Sequence, residues 1–409
     1  MKRPPADSLR EVENADVYIN DTPVATLTRN TDDSIQFDYN AATPTNSSIR
    51  SHSVSWSLLI DGHYPVVTTA GAVPPFFAGL LPEGVRLGAV VSSTKTSVDD
   101  HLTLLLAVGA DMIGNVRVVP TGTTPPERLP MFSPERDTDF RNIFGRLAGS
   151  VDEDPVALAG VQPKVSANMW SVPTSTASGP AILKLTPPTG FPSLSENEHF
   201  FMEMAAACGL RVPRTRLLHD AVGRSALLVE RFDRVNGRRI AQEDACQVSG
   251  LYPASKYRLK TETAITTLTD ACTDGGGSKA AATLELLRTV AFSWLIGNGD
   301  LHGKNLSIYA PDEIWQPSPA YDLLSTQPYT GWNDPMAMNL YGRANRLTRS
   351  NFIDAGHKLG LRERAVTRML DALVNAAQGW PERCTEIGFD RRTTELLTDL
   401  LRHRMTTLT

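Results

Sequence analysis

The sequence predicts an α+β protein of two lobes, sheet-rich and then helical, with an additional β-rich subdomain in front of them. Three observations carry this. Short β-type runs occupy residues 16–29, 34–39 and 115–119 and are followed by a proline-dense stretch. Beyond that stretch lie two compact apolar strands, at 181–185 and 226–232. From there on the apolar spacing is helical, in a long run at 283–296 and in Val366, Met369, Leu370, Leu373 and Val374.

In chain order, the first run breaks at Asn20-Asp21, a turn pair, so residues 16–29 read as a hairpin and 34–39 as a further strand of a small antiparallel sheet. The edge of that sheet is a surface on which a partner could dock. Ser97-Val98-Asp99-Asp100 caps a short helix that runs through Val108 and stops at Gly109, and the chain resumes as strand at 115–119. Pro125, Pro126, Pro130 and Pro134 then leave little room for a regular element, which makes the stretch a linker. The expected division is a β-rich subdomain at 12–120, a linker at 121–150, the rest of the sheet-rich lobe at 151–231 and the helical lobe at 232–409.

After the linker, Leu158-Ala159-Gly160-Val161-Gln162-Pro163-Lys164 is a small-residue loop ending in a lysine, a weak signal by itself because one glycine does not make a phosphate cradle. Ala181-Ile182-Leu183-Lys184-Leu185 is a strand with one charge among apolar residues. An ammonium in such a strand either meets an anion, for which a nucleotide phosphate is suitable, or snorkels from a half-exposed face. Ser195-Glu196-Asn197-Glu198 has the form of a capping box and opens a helix whose apolar face is Phe200, Phe201, Met204, Ala205 and Cys208, closed by Gly209. Capping alone accounts for Glu198 and is the preferred reading; the alternative is an ion pair with Lys184, in the strand-lysine, helix-glutamate order of protein kinases. Ala226-Leu227-Leu228-Val229-Glu230-Arg231-Phe232 leaves into Asp233-Arg234 either as an ordinary core strand or as a hinge between lobes.

The helix at 283–296 is stopped by Gly297-Asn298-Gly299-Asp300, and Asp300-Leu301-His302-Gly303-Lys304-Asn305 follows. Residues 306–309 are β-rich, Pro311-Asp312 is turn chemistry, and Glu313-Ile314-Trp315 starts a return strand. The hairpin brings Asn305 near Asp322 although 17 positions separate them. An aspartate, an asparagine five positions on and a later aspartate form the set that phosphoryl transfer from Mg·ATP requires. One carboxylate handles the acceptor hydroxyl; the amide oxygen and the other carboxylate hold magnesium on the phosphates. The plain alternative is that Asp300 and Asn305 merely close the preceding helix.

Composition sets outer bounds. At 409 residues the chain is long enough for two or three domains. A net charge of −5 and a pI near 5.9 exclude coating of nucleic acid by bulk charge, while leaving room for a local basic patch. The first residues, Met1-Lys2-Arg3-Pro4-Pro5, lack the apolar core of a signal peptide, and no apolar run reaches the length of a membrane span, so the chain is expected to be cytoplasmic with no membrane contact. Cys208, Cys246, Cys272 and Cys384 are scattered without zinc spacing and read as reduced core or surface thiols.

The chain resembles the HipA family of bacterial serine/threonine kinase toxins. The motifs that carry the likeness are Phe76-Phe77-Ala78-Gly79-Leu80-Leu81-Pro82-Glu83-Gly84, Gly160-Val161-Gln162-Pro163-Lys164, Ile182-Leu183-Lys184-Leu185, Asn197-Glu198, Val229-Glu230-Arg231-Phe232-Asp233-Arg234, Gln242-Glu243-Asp244, Gly299-Asp300-Leu301-His302-Gly303-Lys304-Asn305 and Tyr321-Asp322. The resemblance implies a bilobal protein-kinase-like fold, ATP and Mg2+ as cofactors, and phosphorylation of a protein serine or threonine. It also implies a small DNA-binding, HipB-like antitoxin through which DNA contact is mainly made, and aminoacyl-tRNA synthetases as targets. By motif, Asp300 would be the catalytic base, Asn305 and Asp322 the metal ligands, and Lys184 the contact to ATP phosphate. His302 and Lys304 would lie beside the phosphates, Glu230 and Phe232 would meet adenine through the hinge backbone, and Gly160, Val161, Gln162 and Lys164 would form the phosphate loop.

One position departs from the family. Self-regulating members carry a phosphorylatable serine three residues before the loop glycine, and here that residue is Ala157. Ser150 and Ser166 lie nearby without matching the pattern. Either control rests with a partner, or another residue serves, or the substitution inactivates or protects. Besides the toxin kinase, two readings stay open: a small-molecule or lipid kinase of the same fold, and a nucleotide-binding regulatory protein in a DNA-bound antitoxin complex.

Overall fold

A computed structural model of the chain describes residues 6–41, 53–125, 139–141, 143, 169–176, 179–187 and 189–409. Its N-terminal part is built on the hairpin of β1 (Asn14–Ile19) and β2 (Thr22–Arg29). Asn20 takes the turn at φ 54, a left-handed conformation that asparagine tolerates. β3 (Ile35–Tyr39) and β4 (Val66–Thr68) extend the sheet on one side. Three helices follow, α1 (Pro75–Gly79), α2 (Gly84–Thr94) and α3 (His101–Val108), and β5 (Val116–Pro120) completes an antiparallel sheet of order β4-β3-β2-β1-β5. Alternation puts Ala15 and Val17 of β1 wholly inside, where Phe37, Phe77, Leu102 and Leu105 fill one core. Asp100 caps α3 by accepting from the Thr103 amide at 3.2 Å and also holds Arg29 at 2.9 Å.

The second sheet comprises β6 (Trp170–Thr176), β7 (Gly179–Leu185), β8 (Thr215–His219) and β9 (Ser225–Glu230), in the antiparallel order β6-β7-β9-β8. Ala181, Leu183 and Leu185 of β7 enter a core that also buries Phe140 and Ile143. The stretch expected to be a linker lies mostly outside the described residues, as do Ala157, Ser150, Ser166 and the whole 158–164 loop. Helix α4 (Leu194–Ala207) packs on β8 and β9. Its start corrects the sequence reading. Ser193, at φ 52, is the residue before the helix, and no side chain caps it. Ser195 is therefore already helical, its hydroxyl 2.8 Å from that of Thr186, so the capping box does not form and the Glu198 carboxylate goes elsewhere.

After β9 come a short ribbon, β10 (Arg234–Val235) and β11 (Arg238–Arg239), then β12 (Gln242–Asp244) and α5 (Ala245–Val248). The helical lobe contains α6 (Thr261–Asp274), α7 (Lys279–Ile296), α8 (Gln327–Thr330), α9 (Arg349–Lys358), α10 (Glu363–Ala377) and α11 (Arg391–Leu408). Helix α7 is buried on most sides and forms the axis of this lobe, and α10 lays Val366, Met369, Leu370 and Leu373 on the same core. Between α7 and α8, β13 (Ser307–Tyr309) and β14 (Gln316–Pro317) form the expected hairpin. The return starts at Gln316 rather than Glu313, because Glu313 takes a left-handed turn at φ 65 and the Trp315 ring is seated against Gly275, too close for a side chain there. β12 pairs with β13, a third strand that short sequence runs did not announce. All four cysteines are buried free thiols, and no described helix is long and apolar enough to cross a membrane.

Candidate active site

A cleft of about 350 Å³ opens between the second sheet and the helical lobe, and residues 79–83 and 111–113 of the N-terminal part close one end of it. The volume lies within the range of small-molecule sites. Period-two alternation along β7 turns Ile182 and Lys184 to the cleft while their neighbours enter the core. The Lys184 ammonium lies 2.6 Å from Glu198 Oε1 and also donates to Asp322 Oδ1. Burial opposes the charge on Lys184, but Asp322 and Glu198 outweigh it and raise its pKa. One ammonium shared by two carboxylates leaves Glu198 poorly compensated, and burial pushes its carboxyl up.

The loop after α7 is held largely by side chains that bond its backbone. Gly297 ends the helix at φ 76, and Asn298 then joins two segments: its Oδ1 accepts from the Asp300 amide at 2.9 Å while its Nδ2 donates to the Asp322 carbonyl at 3.3 Å. The His302 amide donates to Asn305 Oδ1 at 3.2 Å, and Asn305 Nδ2 donates to Asp322 Oδ2 at 3.2 Å. Asp300 Oδ1 accepts from the Tyr257 hydroxyl at 2.9 Å. Burial, and then Lys256, lower the His302 pKa to about 4, so its ring is neutral at pH 7, and its buried Nδ1 has no hydrogen-bond partner among the described residues. Lys304 donates to Glu83 Oε1 at 2.9 Å and to the Gly79 carbonyl at 3.0 Å, and Lys256 donates to the other Glu83 oxygen. Burial works against the Glu83 charge, yet Lys304 and Lys256 bring its pKa down to about 2.

At the rim, the ring of Phe232 stacks on Tyr321 with centroids 6.0 Å apart and stands edge-on to Tyr309. The Glu230 amide donates to the Arg214 carbonyl and the Arg231 amide to the Pro180 carbonyl. Arg231 and Arg234 run back to Asp111 at 3.2 and 3.0 Å, and both also pair with Asp233, which ties the hinge to the N-terminal part. For a metal, the Asp322 carboxylate and the Asn305 amide oxygen are the hard donors, although here it is Asn305 Nδ2 that faces Asp322 while Oδ1 accepts from the His302 amide. No described group of three or more histidines, cysteines or acids could hold an ion. One or two protein oxygen donors are what magnesium takes when waters and phosphate oxygens fill its other positions.

The family model for the HipA-like C-terminal domain matches residues 156–380, and that for the HipA N-terminal domain matches residues 15–119. The chain belongs to the HipA family. Two Sinorhizobium fredii proteins that carry provisional kinase names are similar: Y4mE is 31% identical over 77% of this chain and 80% of its own length, and Y4dM 32% identical over 79% and 80%. The serine/threonine-protein kinase toxin HipA of Shewanella oneidensis is 28% identical over 66% of this chain and 67% of its own. In structure, the complex of the Shewanella oneidensis HipA with HipB and its operator DNA gives a TM-score of 0.69 at 21% identity, covering 96% of each chain. At that identity the likeness establishes the fold, a kinase-like one.

Of the residues singled out in this HipA-family sequence, Lys184, Glu198, Asn305 and Asp322 form one chain of contacts, with Asp300 and His302 on the same loop. Lys304 lines the cleft but is tied to Glu83, and Glu230 and Phe232 stand at its rim. Gly160, Val161, Gln162 and Lys164 lie outside the described residues. Sequence reasoning missed Tyr257, Lys256 and Asn298 as site residues, and noticed Glu83 only as part of a motif. For Glu83 the signal was its place in the 76–84 motif. For Tyr257 there was none, because it meets Asp300 only through the fold.

Proposed function

We propose that this chain is an ATP-dependent, Mg2+-requiring serine/threonine protein kinase that acts in the cytoplasm as the toxin of a toxin–antitoxin pair. The observation that carries the reading is the unbroken series Lys184, Asp322 and Asn305, all lining one cleft, with Asp300 on the loop that bears Asn305. In this reading Lys184, paired with Glu198, holds the ATP phosphates through its ammonium, and Asn305 and Asp322 offer oxygen donors for the metal. Bound magnesium supplies neutralisation of phosphate charge as the bond to the transferred group breaks. Asp300, held by Tyr257, orients the acceptor hydroxyl and takes its proton as the oxygen attacks the γ-phosphorus. Neutral His302 and Lys304 flank the phosphates. Adenine recognition falls to the Glu230 carbonyl and the Phe232 amide, because the Glu230 and Arg231 amides already donate within the sheet.

The partner in this reading is a small DNA-binding, HipB-like antitoxin, and the protein acceptor belongs to the translation machinery, with an aminoacyl-tRNA synthetase the first to try. The Shewanella complex with HipB and operator DNA supports the partner. In this reading restraint rests with that partner, because alanine at 157 offers no hydroxyl for self-phosphorylation at the matched position.

The test is incubation of the purified chain with γ-labelled ATP and a host lysate. The expected result is Mg-dependent label on serine or threonine of a protein, and none with Asp300→Asn, whose ATP affinity stays within about threefold of wild type because no phosphate or metal contact is removed. Label confined to a small molecule or lipid would replace the acceptor class. No transfer by the wild type would reject the kinase.

A further inference from the structure

We infer that Glu83, supplied by the N-terminal part of the chain, is a positioning residue for phosphoryl transfer, bridging Lys256 and Lys304 so that both the catalytic loop and the segment bearing Tyr257 are held in register; this rests on the ATP reading above. Glu83 occupies the position before α2, yet its side chain makes no cap hydrogen bond. It reaches across the cleft instead, with Oε1 on Lys304 and Oε2 on Lys256. Each lysine belongs to a different part of the site. Lys304 is inside the loop that carries Asp300 and Asn305. Lys256 precedes Tyr257, whose hydroxyl meets Asp300 and whose ring stands edge-on to His302 at 5.1 Å. The Lys256 carbonyl also accepts from the Gly303 amide at 3.1 Å. One carboxylate thus braces the catalytic aspartate from two sides.

The bridge has a rigid base. Gln247 of α5 donates to the Phe76 carbonyl at 3.0 Å, and α1 approaches α5 so closely that a Cβ on Gly79 would meet Gln247 at 2.8 Å. The Ala245 amide donates to Gly303 and Leu306 carbonyls at 3.0 and 2.9 Å, so α5 carries the catalytic loop as well. Asp244, the other carboxylate close to Lys304, is engaged in capping α5 through the Gln247 amide at 2.9 Å. Glu83 is thus the one carboxylate among the described residues that is hydrogen-bonded to both Lys256 and Lys304. Its removal has two opposite consequences: the lysines attract polyanionic nucleotide more strongly, and the loops they anchor lose their brace.

The experiment compares Glu83→Gln and Glu83→Asp with wild type by calorimetric titration of ATP, by melting temperature, and by the rate of label transfer from saturating γ-labelled ATP to acid-precipitable lysate protein. Expected for Glu83→Gln is a transfer rate down by about tenfold or more, with ATP bound about threefold more tightly at low salt and that gain lost at high salt. Glu83→Asp, which keeps the charge but shortens the reach, should hold wild-type affinity with a partly restored rate; it decides alone if Glu83→Gln does not fold. An unchanged rate in the variants overturns the inference. So does a parallel fall of rate, affinity and melting temperature, which marks a merely structural residue. A wild type that binds ATP but whose transfer ignores Glu83 defeats the inference alone, whereas a wild type that neither binds nor transfers defeats the kinase reading and this inference with it.

Discussion

Asp322 shows how much one position can be asked to do. Its φ of 54 lies in the left-handed region, which aspartate visits at modest cost, and the Asn298 side chain holds its carbonyl in that conformation. The turned backbone sends one carboxylate oxygen to Lys184 and the other to Asn305. In the reading proposed above the same oxygens are metal donors, so Asp322→Ala acts on nucleotide binding itself. Wild type should bind ATP about tenfold or more tightly with magnesium than without it, and in Asp322→Ala the two titrations should agree within about twofold. A magnesium effect of wild-type size in the variant would reduce Asp322 to a turn residue. Alanine also loses the local hydrogen bonding that makes the left-handed region tolerable, so melting curves of the variant accompany the titration.

At the scale of elements, the loop that carries Asp300 depends on Gly303 as well as on its polar residues. A Cβ there would lie 2.7 Å from Cys246 Sγ and 3.1 Å from Leu259 Cδ2, so the loop rests directly on α5 and the segment before α6. Gly303→Ala should leave a folded protein whose label transfer is reduced by about tenfold or more, since a displacement near 1 Å at Asp300 is enough for that; full activity would show that the contact yields without moving Asp300. These elements also show what could be read in advance. The 3.6-residue spacing of Val366, Met369, Leu370 and Leu373 and the glycine stop at Gly297 are local signals, and both are where the spacing puts them. The proximity of Asn305 and Asp322 was legible because a short hairpin joins them. For Glu198 the preferred capping reading failed and the alternative, the ion pair with Lys184, is the one that forms; both leave the same letters, and only the left-handed Ser193 decides where α4 begins. The pairing of β12 with β13, and of Tyr257 with Asp300, depends on contacts between segments distant in sequence, which no local pattern encodes.

Across the described residues, the N-terminal part is fastened to the remainder by two further polar seams, besides Glu83 and the bonds of Gln247 and Lys304 to the Phe76 and Gly79 carbonyls. One is the arginine cluster around Asp111 and Asp233. The other is Glu243 on β12, which accepts from the Ser55 hydroxyl at 2.6 Å and the Trp56 amide at 3.0 Å, beside the edge-on pair of Trp56 and Trp315. Glu243 is buried with no cation against it among the described residues, and burial raises its carboxyl from 4.5 to about 8, with Asp244 adding to the rise and the two hydrogen bonds opposing it. An acid whose folded pKa is raised binds its proton more tightly folded than unfolded. Its contribution to stability is therefore complete below about pH 4.5 and is lost as pH rises through about 8. Glutamine mimics the protonated form, accepting from the Trp56 amide and donating to Ser55. Glu243→Gln should accordingly melt within about 1 °C of wild type near pH 5 and roughly 3 °C or more above it at pH 8. Melting curves across that interval check the sign: a variant less stable at pH 8 than wild type would mean that Glu243 is ionised in the folded protein and that this seam is held by charge.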